Sequence, residues 1–253
     1  MEKNRDDYIE MDYSKDFPFD IIAKEETVYI VDYSISPEEM TRLYLITNNV
    51  IWCDHHKTAI AKYEDYPRDI DGLRNINHSG CELTWLYMND SCAPEMIPEP
   101  IRYIGDKDTW QWKYKPTSEY FCDGLESLDL HPLNALVWDA IFSDPERVIK
   151  LGRFFLSYKT QRNKEYLEAF GYKAKFEGFD ALAINIGKVG SEVFESLDMM
   201  PTIGIMYVHT GDTYHVSLRS EIVDVSDLAL KYGGGGHAGA AGFECVELPW
   251  VKL

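Results

Sequence analysis

The chain has 253 residues, 45% of them hydrophobic and 27% charged, which suits one large domain or two small ones and excludes wholesale disorder. Its 25 Lys+Arg against 43 Asp+Glu give a formal net charge of −18. That charge disfavours a surface that grips long duplex nucleic acid, since each phosphate contact there needs a basic group. A small anion in one cleft stays allowed, because a few local donors or a bound cation outweigh the overall charge. The apolar runs fall far short of the roughly 20 residues of a membrane span, and Met1 to Arg5 lead into acidic sequence instead of a secretory h-region. A cytoplasmic protein without membrane association is expected. The cysteines, Cys53, Cys81, Cys92, Cys122 and Cys245, lack C-x-x-C spacing, so free thiols are expected instead of a disulfide framework or zinc knuckle.

In chain order, Thr27 to Val31 reads as a short strand ending at Asp32, and Val50 to Cys53 as another ending at Asp54. Between them Pro37 to Thr47 has the leading proline, early glutamates and apolar spacing of a helix. Such a β-α-β unit has parallel strands whose carboxyl ends share one edge, where α/β proteins place their ligands. Asp32 and Asp54 are therefore expected to face one crevice. Helices are predicted over Cys81–Met88, Glu99–Gly105, Pro132–Phe142 and Pro145–Ala169. After Gly171 short strands are predicted at Ala181–Ile186, Thr202–His209 and Thr213–Arg219, with Gly211 and Asp212 as a hairpin turn. The expected fold class is α/β: a parallel-sheet domain with helical cover over 1–143, a helical linker over 144–170 and a smaller α+β domain over 171–253.

Asp54, His55 and His56 directly follow an apolar strand, which sets a carboxylate and two imidazoles at the ligand-binding edge. Oxygen and nitrogen donors without thiolates suit Mn²⁺, Mg²⁺, Fe²⁺ or Zn²⁺ in a hydrolytic site. A loop that is merely polar is the competing reading. The second signal is the run Gly233, Gly234, Gly235, Gly236, His237, which follows a helical segment over Val225 to Tyr232. So many glycines imply positive φ or close backbone approach. Consecutive N–H groups with His237 could form an anion nest, the reading preferred over a tight turn that packs helix against strand.

With Val31-Asp32-Tyr33-Ser34, the Asp54-His55-His56 triplet, the segment Asp106-Lys107-Asp108-Thr109-Trp110 and the Gly-Gly-Gly-Gly-His run with its Ala-Ala-Gly-Phe continuation, the chain strongly resembles the DHH/DHHA1 phosphoesterase superfamily. The resemblance implies that Asp32 bridges two metals and that His55 and Asp108 complete one of them, Asp106 being the alternative to Asp108. It gives Asp54 the role of supporting the ligands and His56 that of meeting the substrate phosphate. Arg219, Gly234, Gly235, Gly236 and His237 resemble the second domain's substrate clamp. The implied cofactor is Mn²⁺ in a two-metal site, with Mg²⁺ or another divalent cation as the alternative. The implied reaction is hydrolysis, by metal-activated water, of phosphodiester or phosphomonoester bonds in short oligonucleotides, dinucleotides or related nucleotides. A homodimer stays open.

The superfamily's first motif, of the type His-x-Asp-x-Asp-Gly, supplies the other metal, and it is absent from Met1 to Asp20. That segment holds Asp6, Asp7, Asp12, Asp16 and Asp20 but no histidine. One metal site is thus expected to lack most of its ligands, and the first sheet to show an unpaired edge or apolar face, with lower stability or a compensating partner. A catalytically weak or inactive nucleotide-binding regulatory protein is the alternative function, and a purely structural role fits least. Among other residues, His78 reads as a cap or surface group and Glu82 as a neighbour of the metals. Lys57 reads as a phosphate contact or a solvated side chain. Trp110, Trp112, Tyr103 and Tyr114 read as core aromatics in preference to a base-stacking surface.

Overall fold

The computed structural model describes residues 8–13, 15–91 and 93–253. Of the residues named above, Met1 to Arg5, Asp6, Asp7 and Cys92 lie outside the described residues. The chain divides into two units, Met1–Phe155 and Leu156–Leu253.

The first unit opens with β1 (Val28–Val31), α1 (Pro37–Tyr44) and β2 (Val50–Cys53). The strands pair in parallel, Val28 opposite Val50 through Val31 opposite Cys53. Ser36 and Glu39 form a capping box at the start of α1, with Pro37 in the first turn, which satisfies N–H groups that the helix itself leaves unpaired. Met40 and Leu43 are fully buried beneath α1 beside Ile30 and Trp52, each side chain contributing roughly 1.5–3 kcal/mol by leaving water. The helix stops at Tyr44 and not at Thr47, because Leu45 turns back onto Arg42 O and the Thr47 hydroxyl donates to Glu26 O at 2.6 Å. The far edge of β2 pairs with residues 71–74, where Trp52 N donates to Asp71 O and Asp54 N to Leu73 O. On β1, Tyr29 and Val31 stay exposed.

Helical cover follows as α2 (Lys57–Ala61), α3 (Gly80–Met88), α4 (Glu99–Asp108), α5 (Thr117–Glu126) and α6 (Ala135–Ser143). Among these, α2 lacks any counterpart in the predicted helices, and so does α5. Its Phe121 is buried with Ile141, Val148 and Ile149. The segment expected to begin a helix at Pro132 forms a turn instead, with Asn134 N and Trp138 Nε1 both donating to His131 O. The long helix α7 (Pro145–Phe170) carries the division between the units, after Phe155.

The second unit contains β3 (Tyr172–Phe176), β4 (Phe179–Asn185), β5 (Ile203–Thr210), β6 (Thr213–Arg219), α8 (Val225–Leu230), β7 (Gly235–His237), β8 (Ala240–Cys245) and β9 (Val251–Lys252). They form one seven-stranded sheet in the order β7-β8-β6-β5-β4-β3-β9, with β4 parallel to β5 and the other neighbours antiparallel. Gly211 and Asp212 close the β5–β6 hairpin, Gly211 at φ +67°. Phe176, Phe243, Tyr207 and Trp250 fill the core beside Leu228 and Ala229 of α8. The overall class is α/β, a parallel pair with helical cover and a smaller α+β unit. Among the described residues no helix is long and apolar enough to cross a membrane, and Cys53, Cys81, Cys122 and Cys245 are free.

Candidate functional site

The carboxyl ends of β1 and β2 bring Asp32 beside Asp54, His55 and His56. Asp32 N donates to Cys53 O at 2.9 Å, which extends the pairing one residue past the strand. The residue then turns into a left-handed conformation, φ +51°, which aspartate tolerates better than bulkier side chains. The following loop is pinned from the core, since Trp52 Nε1 donates to Tyr33 O at 3.0 Å.

His55 Nε2 lies 3.2 Å from Asp32 Oδ1 and 3.3 Å from Asp108 Oδ2. Asp108 arrives from the C-terminal end of α4. Two carboxylates from separate segments thus flank a single imidazole nitrogen. The hydrogen bond to Asp32 holds the His55 pKa above its ordinary value, with Asp108 adding to the effect and burial opposing it. The same bond to His55 lowers the Asp32 carboxyl. Nε2 thus faces two carboxylates, a setting in which a proton and a cation compete for the same nitrogen.

Asp54 is fully buried. Its Oδ1 accepts from His55 N at 2.8 Å, His56 N at 3.2 Å and His56 Nδ1 at 2.7 Å. Its Oδ2 is buried with no hydrogen-bond partner. The bond from Asp54 raises the His56 pKa and fixes the ring, so Nε2 is the nitrogen that His56 has left to offer. Asp32, His55 and His56 each present a ligand atom within 4.8 Å of the others. Hard oxygen donors, imidazole nitrogens, a carboxylate-braced histidine and an orphaned buried carboxylate oxygen together fit a divalent cation.

Asp106 and Asp108 separate cleanly. Asp106 is buried, and its carboxylate accepts from Lys113 N at 2.6 Å, Tyr114 N at 3.0 Å and the Ser118 hydroxyl. It ties the loop after α4 to the start of α5, while Asp108 faces His55. Glu82 is engaged in the capping box of α3, accepting from Ser79 N at 2.9 Å, and His78 Nδ1 lies 3.5 Å from it. Lys57 is exposed in the first turn of α2. Gly80, the residue before the helix predicted from Cys81, lies directly against Asp32. A glycine in a first helical turn where other residues are preferred is the signal that could have found it.

The remaining candidates lie in the second unit. Arg219 ends β6 opposite Gly204 and Ala240; it is buried and its guanidinium donates to Glu195. Gly234 N donates to Ala229 O and Gly233 N to Leu230 O, so these two N–H groups close the end of α8 and are not part of an open nest. Gly235, Gly236 and His237 form the edge strand β7, paired with Gly242, Ala241 and Ala240. A Cβ at Gly234 would strike Gly242 O, and one at Gly236, where φ is +145°, would lie 2.6 Å from Ala240 O. Gly235 has open space around it, and His237 is exposed.

A metal-fitting carboxylate–histidine cluster at a parallel strand edge, followed by an α+β domain with a glycine-rich edge strand, agrees with the resemblance to the DHH/DHHA1 superfamily. The model of the DHHA1 domain matches residues 177–248. An uncharacterized protein of Acanthamoeba polyphaga mimivirus is 25% identical over 246 residues, covering 91% of this chain and 56% of its own. Oligoribonuclease NrnB of Bacillus subtilis (strain 168) is 22% identical over 240 residues, covering 87% of this chain and 59% of its own. The chain thus spans less than three-fifths of the length of these curated relatives. In fold, it is similar to the crystal structure of an exopolyphosphatase-related protein from Bacteroides fragilis, with a TM-score of 0.52, 17% identity, and 88% and 67% of the two chains covered. Residues 177–248 thus match the DHHA1 domain, and over most of its length the chain is similar to these relatives.

Proposed function

We propose that this protein is a metal-dependent phosphoesterase that cleaves short nucleotides, with Mn²⁺ or another divalent cation held by Asp32, His55 and Asp108. The observation that carries the reading is the approach of Asp32 Oδ1 and Asp108 Oδ2 to a single nitrogen, His55 Nε2. A cation bound there supplies Lewis acidity and lowers the pKa of water. His55 would offer Nε2 to such a cation as a neutral imidazole, with Asp32 and Asp108 as the neighbouring carboxylate donors. Asp54 holds His56 through Nδ1 and favours its protonated form, so that Nε2–H can donate to a phosphoryl oxygen as charge develops. The glycine-rich edge strand and Arg219 supply nucleotide contacts in the second unit. The net charge of −18 favours substrates with few phosphates, and an oligoribonuclease among the relatives agrees with that class.

The test is Mn²⁺-dependent hydrolysis of a linear dinucleotide, a cyclic dinucleotide and 3′-phosphoadenosine 5′-phosphate, with His55→Ala as control. Turnover that disappears in the control supports the reading. Nucleotide binding without turnover supports the second reading, a regulatory nucleotide-binding protein. That reading is favoured by one observation: among the described residues a single cluster of three or more donors has ligand spacing, where a two-metal mechanism needs two.

A further inference from the structure

The first unit carries a cleft that the cation-fitting cluster does not use. It is bounded by the first turn of α3, by α4 and by the loop that follows α4, and it has a volume of about 280 Å³. Glu82, Arg102, Asp106, Thr109, Lys113 and Tyr114 are among the residues that line it. Thr109 directly follows Asp108, so the cleft and the cluster share the end of one helix.

The acids and the cations of this cleft stand differently. Glu82 is engaged in the α3 capping box, and the Asp106 carboxylate accepts from the Lys113 and Tyr114 amides and the Ser118 hydroxyl. Asp106 thereby pins the backbone of Lys113 and leaves the ammonium unengaged. Arg102 Nε is buried with no hydrogen-bond partner, and the nearest carboxylate to the guanidinium is that of the exposed Glu99, at 4.0 Å. Among the described residues the Lys113 ammonium has no carboxylate within 4.0 Å, its contact being the Tyr114 ring at 5.4 Å. Arg102 stands over the same ring at 5.9 Å, so Tyr114, expected in the core, holds two like charges at one cleft. An anion bound there offsets both their repulsion and the unmade hydrogen bonds.

We infer that this cleft binds a phosphoryl group through Arg102 and Lys113. A guanidinium fork engages two oxygens and an ammonium a third, one more than a carboxylate possesses. The cleft is smaller than the roughly 300–1,000 Å³ that hold a drug-sized ligand, so it takes a phosphate with little attached and not a whole nucleotide. The group comes either from a further phosphate of the substrate or from free orthophosphate. The binding stands apart from the hydrolytic reading; its assignment to the substrate rests on that reading.

The test is a calorimetric titration of cation-free protein with inorganic phosphate, on the wild type, Arg102→Gln, Lys113→Gln and the conservative Arg102→Lys. Each glutamine variant should weaken binding roughly 10- to 150-fold, and Arg102→Lys, which keeps the charge and loses the fork, should fall between. Phosphate should raise the thermal midpoint of the wild type and leave those of the glutamine variants unchanged, while in its absence both variants melt no lower than the wild type. No binding by the wild type, or equal affinity in the wild type and both glutamine variants, would overturn the inference. The source is decided in Mn²⁺-loaded protein with a dinucleotide carrying or lacking a 5′-phosphate. A rise in KM for Arg102→Gln confined to the 5′-phosphorylated compound assigns the cleft to the substrate, and equal KM changes on both assign it to free phosphate. Absence of turnover in the wild type would count against the phosphoesterase reading, while the phosphate titration would still decide the site.

Discussion

Gly80 and Asp32 meet so closely that no side chain fits between them. A Cβ on Gly80 would lie 2.5 Å from Asp32 Cβ and 2.6 Å from its Oδ1. The first turn of α3 therefore sets where the Asp32 carboxylate can stand. Gly80→Ala should weaken Mn²⁺ binding at least tenfold by calorimetry, although helix propensity alone favours alanine by about 1 kcal/mol. Unchanged affinity would show that Asp32 is positioned from β1 alone.

Asp106 and Asp108 predict opposite phenotypes. Asp106→Ala leaves two backbone N–H groups and the Ser118 hydroxyl without their acceptor and should cost on the order of 3 kcal/mol of stability in denaturant titrations. Asp108→Asn should leave stability within about 0.5 kcal/mol of wild type and lower kcat by about 100-fold or more. The reverse pattern would exchange their roles.

The pH dependence follows from the histidines. His55 and His56 both have pKa values raised by carboxylate partners. In cation-free protein the resulting stabilisation is complete below the unfolded value of about 6.5 and is lost as pH rises through the raised folded values. Thermal midpoints should fall over that interval, while Mn²⁺ affinity rises because fewer protons compete. Asp54→Asn should return the His56 pKa toward its ordinary value in an NMR titration. An unshifted His56 would contradict the bond from Asp54 as the cause.

The glycine run separates packing from recognition. Gly236→Ala places a Cβ against Ala240 and Ala241 at positive φ and should destabilise the second unit by about 1–3 kcal/mol. Gly235→Ala meets open space and should change stability by less than about 1 kcal/mol. Loss of nucleotide affinity in Gly235→Ala with an unchanged melt would mark β7 as a contact strand.

What the sequence made legible was local. The acid-terminated strands and the proline-led helix between them announce the β-α-β unit, and the triplet after β2 points to the candidate site. What stayed hidden depends on residues far along the chain. Asp106 is structural because Ser118 and the Lys113 and Tyr114 amides close over it, which flanking sequence does not reveal. The glycines at 233 and 234 read as an open nest, but their amides end α8, and Gly234 is required by Gly242 and Phe243 across the sheet. Pro132 looked like a helix start, yet the bonds to His131 O hold it in a turn. Gly80 is explained only once Asp32 is seen beside it.

The most direct test of the central claim is a Mn²⁺ titration of cation-free protein, followed by electron paramagnetic resonance, on the wild type, Asp32→Asn and His55→Ala. The geometry predicts tight binding of at least about one Mn²⁺ per chain with proton release in the wild type, and loss of that binding in both variants. Equal binding in all three proteins, or none in the wild type, would contradict a cation site built on Asp32 and His55.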